Sequence, residues 1–169
     1  MAELEEGKVN ALLAKGKYRE AEQVLNNFVF KEKNNDTAWY LLGILALKLK
    51  NYDRAHEYFE RALALNKKPE YLMFDGLAYL ENLDIEEAEG RFAEYLTVRP
   101  EDASVNFYLA LCYLLLGDPR SKDAFRKAYS IDKEKVKRML KDFFIELVEK
   151  NPTYNITIKE ELRKKIEER

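Results

Sequence analysis

The residues that could carry out chemistry are few in this 169-residue chain and stand far apart. The chain has one cysteine, Cys112, and one histidine, His56, so a Cys/His metal site would need carboxylates or a second chain to complete it. Cys112 stands among leucines and a tyrosine, which favours a small core residue over a nucleophile. His56 lies among charged residues, where a surface histidine is the simpler interpretation. Neither residue predicts a catalytic centre.

Carboxylate pairs and basic residues also lack the arrangement of a functional site. Glu86 with Glu87 is an adjacent pair, and adjacent residues of a helix point in different directions, so an acid/base pair is not expected. The basic run 163–165 is interleaved with glutamates and the net charge is −2, so the sequence indicates no nucleic-acid surface. The sequence predicts a protein that is not an enzyme and needs no metal or other cofactor.

Composition favours a protein that folds in the cytoplasm. Hydrophobic residues make up 47% of the chain and charged residues 36%, enough for both a core and a polar surface. A single cysteine allows no intramolecular disulfide. The acidic N-terminus is not a secretory signal, and the longest uncharged stretch, 103–117, is too short to span a membrane. We therefore expect a cytoplasmic location and no membrane partner.

Small and large apolar residues recur along the chain at a spacing of 33 or 34 residues. Such a period indicates a stack of similar supersecondary units, each of which buries its apolar face against the next unit. The recurring positions are Ala21, Ala55 and Ala88; Gly43 and Gly76; and Leu25, Phe59, Phe92 and Phe125.

The second of these units carries a recognisable pattern. A 34-residue helix-turn-helix repeat is marked by Trp-x-x-Leu-Gly early and Ala-x-x-x-Phe later. Those places are filled in order by Trp39, Leu42, Gly43, Ala55 and Phe59. The stretch 36–68 therefore resembles a tetratricopeptide repeat. The resemblance implies an all-α fold, a right-handed α-α superhelix (solenoid), that binds other polypeptides.

The spacing divides the chain into repeats and a C-terminal part. Residues 1–134 are predicted to hold four helix pairs, each with a first helix A and a second helix B. Residues 135–150 carry an apolar stripe at helical spacing and are predicted to form a capping helix. Residues 151–169 are predicted to form a charged tail helix. The four repeats are 2–35, 36–68, 69–102 and 103–134.

The resemblance implies that peptides bind on the concave face lined by the A helices. On that face this sequence places polar residues in the first repeat and apolar residues in the next three. The basic residues with which related proteins hold a C-terminal carboxylate are missing, so that type of site is not expected. The predicted peptide-binding groove consists of Asn10, Tyr40, Ile44, Met73, Phe74, Leu77, Phe107, Tyr108 and Leu111.

The fourth A helix is apolar nearly all round and must be covered on more than one side. The helix predicted over 136–148 could seal the end of the stack or lie in the groove. The main hypothesis is a protein-interaction scaffold whose largely apolar groove binds a helix or peptide, an apolar helix being favoured. The alternative is a self-assembling structural protein that forms a homodimer through the groove and residues 136–148.

Overall fold

The computed structural model describes the backbone of residues 6–149 and the side chains of residues 6–143. This part of the chain forms nine α-helices and no strand. The tail helix predicted over 151–169 lies outside the described residues. The helices are α1 (Glu6–Ala14), α2 (Tyr18–Lys31), α3 (Asp36–Lys48), α4 (Tyr52–Leu65), α5 (Pro69–Glu81), α6 (Ile85–Val98), α7 (Ala103–Leu115), α8 (Ser121–Ile131) and α9 (Lys133–Glu149).

The first eight helices form four successive pairs. In each pair the A helix (α1, α3, α5, α7) packs on its own B helix (α2, α4, α6, α8), and each B helix also packs on the next A helix. The contacts therefore run from one pair to its neighbour along the stack, which is the arrangement of a solenoid. The predicted all-α solenoid is confirmed.

Glycines allow the two helices of a pair to approach closely. A Cβ atom added at Gly43 would lie 2.5 Å from the ring of Phe59, and one added at Gly76 would lie 2.7 Å from the ring of Phe92. Both phenylalanines are fully buried. This close approach explains why glycine recurs at these two positions.

The same turn joins A to B in all four pairs. Its central residue has a left-handed backbone, with φ of 70° at Gly16, 57° at Lys50, 68° at Leu83 and 70° at Gly117. The N–H of this residue bonds to the carbonyl three residues back, and the next N–H bonds to the carbonyl five residues back. This is the Schellman arrangement, which satisfies the last carbonyls of the A helix.

The last described helix, α9, seals the C-terminal end of the stack. It packs on α7 and α8. Val136, Met139 and Phe143 on α9 join an apolar cluster with Phe107 and Leu111 on α7. The part of α7 around Phe107 and Leu111 is thus covered from within the chain.

Candidate functional site

A cleft of about 440 Å³ opens between the A helices of the first three pairs. Helix α3 supplies most of its lining, because residues spaced by three and four positions share one helix face. The opposite face of α3 is buried, with Leu42 and Leu45 in the core. The cleft is lined by Glu6, Asn10 and Leu13 of α1, by Thr37, Tyr40, Leu41, Ile44, Leu47 and Lys48 of α3, and by Phe74 of α5.

Tyr40 is held in place by other aromatic rings. Its ring centroid lies 4.8 Å from that of Tyr71 in a stacked arrangement and 5.6 Å from that of Phe74 in an edge-on arrangement. Phe59 lies behind it, at 6.2 Å. Such contacts fix the orientation of a ring, so this wall of the cleft is preorganised. Burial, together with Tyr71 and Glu70, raises the pKa of Tyr40 to about 12, so its hydroxyl remains a neutral hydrogen-bond donor at physiological pH.

Tyr71, whose ring stacks on Tyr40, is itself held by polar contacts between the second and third pairs. The Tyr71 hydroxyl donates to Asp36 Oδ2 at 2.7 Å, and Lys68 Nζ lies 2.8 Å from the same oxygen. Asp36 begins α3, whereas Lys68 and Tyr71 lie at the start of α5. These polar contacts hold the second and third A helices at a fixed separation beside the cleft.

The charged groups of the cleft lie at its rim. Glu6 and Asn10 are exposed on α1, and Lys48 is exposed at the end of α3. One acidic group, one basic group and one amide surround a lining that is apolar except for the hydroxyls of Thr37 and Tyr40. The cleft therefore suits a ligand with apolar side chains and a polar backbone rather than a strongly charged one.

The structure brings together four of the nine predicted groove residues. Asn10, Tyr40, Ile44 and Phe74 all line the cleft. Their role in binding stays a prediction.

Three further predicted residues, Met73, Leu77 and Tyr108, are half-buried outside this cleft. They pack around the core cluster that contains Phe92.

The remaining two predicted groove residues are in the core. Phe107 is 1% exposed and Leu111 is 2% exposed. They pack against Ala128 of α8 and Val136 of α9. The prediction that they line an open groove is wrong because the turn into α9 brings that helix directly over them.

A buried polar cluster joins the second and third pairs, and the sequence did not indicate it. His56 of α4 lies with its Nδ1 2.7 Å from Asp75 Oδ1 of α5, and its ring stacks on Tyr79 with centroids 3.7 Å apart. Because a carboxylate oxygen accepts, Nδ1 carries the proton and donates. The interpretation of His56 as a surface residue is therefore wrong: its side chain is 15% exposed.

The other oxygen of Asp75 faces a guanidinium. Arg91 Nε of α6 lies 2.7 Å from Asp75 Oδ2, although the N–H does not point along a hydrogen bond, so the contact is an ion pair. Arg91 also pairs with Glu60. Burial raises the pKa of the Asp75 carboxyl above its usual value, and the hydrogen bond from His56 offsets part of that rise. The guanidinium adds to the lowering, because a nearby positive charge favours the carboxylate.

His56 Nε2 is buried, and none of the described residues forms a hydrogen bond with it. Cys112 is fully buried elsewhere, and burial raises the pKa of its thiol to about 12, which keeps it unreactive. Trp39 is a core residue, and its Nε1 donates to the Lys33 carbonyl at 2.7 Å. Among the side chains of residues 6–143, no three His, Cys, Asp or Glu are placed to hold a metal ion.

The four helix pairs, their shared turns and their glycine crossings define a helical-repeat solenoid of the kind that binds polypeptides. The sequence profile of the tetratricopeptide repeat matches residues 7–69 and 76–132, and the chain belongs to this family. None of the described helices is both long and apolar enough to cross a bilayer. Among curated protein sequences, none shows significant similarity to the chain.

Solved structures show the same fold. MamA from Desulfovibrio magneticus RS-1, from residue 41 to its end, is 24% identical over 96% of this chain and 91% of its own, with a TM-score of 0.73. Another crystal structure of MamA is 21% identical over 76% of this chain and 77% of its own, with a TM-score of 0.71. YrrB, a TPR protein with an unusual peptide-binding site, is 23% identical over 75% of this chain and 66% of its own, with a TM-score of 0.68. At these identities the likeness concerns the fold.

Proposed function

We propose that the chain is a non-enzymatic scaffold that binds a short apolar segment of another polypeptide in the cleft between α1, α3 and α5. The observation that carries the proposal is the preorganised apolar lining around Tyr40, open to solvent and rimmed by polar groups. A helix or an extended peptide would place one or two apolar side chains against Ile44 and Phe74. The membership in the repeat family and the peptide-binding site of YrrB support this use of the fold.

An apolar helix is the favoured ligand. Leu13, Leu41 and Leu47 contribute apolar side chains to the lining. A ligand helix with apolar residues at spacings of three and four would present a matching apolar stripe. Asn10 at the rim is positioned to bond the polar flank of such a helix. The cleft is too weakly charged to select a ligand by ion pairing.

The alternative, a homodimer through the groove and residues 136–148, has less support. Val136 is buried, and Met139 and Phe143 pack into the cluster with α7. These side chains contact their own chain, so a second copy would have to use the other faces of α9.

A charge placed in the cleft tests the proposal. Peptides selected from a displayed random library against the full chain would be titrated by calorimetry into the chain and into the variant Phe74→Glu. Because Phe74 is half-buried at the edge of the cleft, we expect the helical circular dichroism to remain and the affinity to fall at least about tenfold, or 1.4 kcal/mol.

The matched control is Val98→Glu, which places the same charge at an exposed apolar position on α6, outside the cleft. Its affinity should equal that of the original chain. Equal loss in both variants, or loss in neither, would place the binding site elsewhere. Unfolding of Phe74→Glu would make Phe74 a core residue, and Asn10→Arg, at an exposed rim position, would then repeat the test.

A further inference from the structure

The four turns between A and B helices form one edge of the solenoid, here called the turn edge (residues 15–17, 49–51, 82–84 and 116–120). Contacts between neighbouring pairs show that the turns lie side by side. The Tyr52 hydroxyl lies 3.5 Å from Glu81 Oε2, which joins the second and third turns. Arg120 Nη2 lies 3.4 Å from Glu89 Oε1, which joins the fourth turn to the start of α6.

Leucines stand exposed along this edge. Leu83 is 76% exposed in the third turn, and Leu49 is 50% exposed in the second. The fourth pair ends its A helix with three exposed leucines, at 114–116. Single exposed leucines are ordinary, but a row of them on adjacent turns is typical of a surface that another molecule covers.

Leu83 is also an unfavourable choice for its backbone. It occupies the left-handed position that glycine holds at Gly16 and Gly117. A side chain with a Cβ in that conformation costs roughly 1–2 kcal/mol. Because Leu83 is the most exposed leucine of the turn edge, the described fold gains little packing in return. A leucine in an unfavourable backbone conformation, with little packing inside its own chain, suggests a contact with another molecule.

The charge along the turn edge changes sign between the second and third pairs. The second turn is net basic, with Lys48 and Lys50 on either side of Leu49 and Asp53 in the first turn of α4. Acidic residues surround the third turn, where Asp84 follows Leu83 and the first turn of α6 carries Glu86. A net basic turn and an acidic turn therefore lie next to each other in the middle of the edge.

We propose that the turn edge is a self-association surface, on which two copies of this chain pair around a two-fold axis between the second and third turns. A two-fold axis at this point places the second turn of each copy opposite the third turn of the other, so the net basic turn of one copy meets the acidic turn of its partner. Leu49 of each copy then covers Leu83 of the other, and Lys50 faces Asp84. The charges of the turn edge are complementary to those of the same edge after the two-fold rotation. The molecule that covers this surface is therefore a second copy of the chain. The proposal does not depend on a ligand in the cleft.

Solution mass as a function of concentration provides the first test. Sedimentation equilibrium of the full chain should show a monomer–dimer equilibrium that weakens with added salt, because exposed charges are screened. A chain that stays monomeric up to about 1 mM would overturn the proposal.

Leu83→Gly separates association from folding. Glycine relieves the left-handed backbone, so the variant should fold with an unchanged or higher melting temperature. At the same time it removes an apolar contact made twice in the dimer, so the dissociation constant should rise at least tenfold. A variant that dimerises as the original chain does would overturn the proposal, whatever its melting temperature.

Charge reversal and rescue identify the pairing. Lys50→Glu and Asp84→Lys should each raise the dissociation constant at least tenfold, because each places like charges opposite one another. The double variant K50E/D84K should return it to within about threefold of the original value, since the opposite charges meet again. Circular dichroism of each variant controls for folding. A dimer that none of these changes weakens would use another surface, and the proposal would fail.

Discussion

The side chain of Asp75 joins three helices through polar contacts. It is fully buried on α5, accepts from His56 of α4 and pairs with Arg91 of α6. Three helices from two pairs thus meet at one carboxylate. A buried carboxylate needs such partners, because an unpaired charge in the interior is costly.

Neutralising this carboxylate should destabilise the fold. Asp75→Asn keeps the size of the side chain but leaves Arg91 with only the exposed carboxylates of Glu60 and Glu94, so we expect the free energy of unfolding to fall by about 2 kcal/mol. The measurement is urea denaturation followed by circular dichroism. The control is Asp123→Asn, which removes an exposed pair with Arg126 and should change the free energy by less than about 0.5 kcal/mol. Equal losses of free energy in the two variants would mean that the buried cluster stabilises the fold no more than an exposed ion pair does.

The sequence could not have predicted this cluster. Asp75 occupies the place that Leu42 and Leu109 hold in the neighbouring pairs, so it departs from the repeat pattern rather than following it. Its partners lie on separate helices: His56 stands at a position that is charged in the other pairs, and Arg91 stands where the neighbouring pairs have Tyr58 and Ala124, so neither is marked as a partner of Asp75. The repeat spacing identifies features that recur along the chain, whereas a contact that occurs once is seen only in the structure.

At the scale of elements, the helix crossings decide how closely a pair can pack. Gly43 and Gly76 face the rings of Phe59 and Phe92 with no room for a methyl group. Gly90, in contrast, lies within α6 and has nothing within 4 Å of the position of a Cβ atom. The same residue type therefore has opposite roles at the two kinds of position.

Alanine substitutions should show this difference. Gly43→Ala forces the ring of Phe59 to move, and we expect the free energy of unfolding to fall by roughly 1–3 kcal/mol. Gly90→Ala meets no obstacle and should raise the free energy of unfolding by roughly 0.5–1 kcal/mol, because alanine is the better helix former. Thermal and urea denaturation of both variants measure the effects. A stabilising Gly43→Ala would contradict the close crossing.

The elements themselves were largely predictable. The spacing of 33 or 34 residues, with small residues at the crossings and large ones between pairs, indicated the order of the helices from the sequence alone. The groove was predicted less well. The A helix of the fourth pair has the same apolar face as its neighbours, but the covering of Phe107 and Leu111 depends on where α9 turns. The direction of a helix after a short turn is a tertiary property that the pattern does not contain.

At the scale of the whole molecule, the two ends of the stack differ. The C-terminal end is closed by α9, which buries Val136 against α7 and α8. Solenoids need such closure, since the last pair would otherwise leave an apolar face in water.

Removing α9 should therefore uncover that face. A chain ending at Asp132 would expose the cluster around Phe107 and should lose several kcal/mol of stability, because large buried side chains contribute about 1.5–3 kcal/mol each. Urea denaturation and light scattering would detect the loss and any resulting association. A chain ending at Glu149 keeps α9 and serves as the control. Unfolding of the shorter chain at the same urea concentration as the control would show that α9 does not support the stack.

Helix α1 lies at the other end of the described stack and is less well packed than the central helices. The described part of helix α1 buries Val9 and Leu13 and packs on α2, and no further helix pair lies on its other side among the described residues. Helices with few buried apolar contacts open more readily than those in the centre of a stack. Its backbone amides should therefore exchange with solvent deuterium sooner than those of α3. Since α1 also forms one wall of the cleft, a bound peptide would slow that exchange, and ligand affinity and the local unfolding of this wall would be thermodynamically linked.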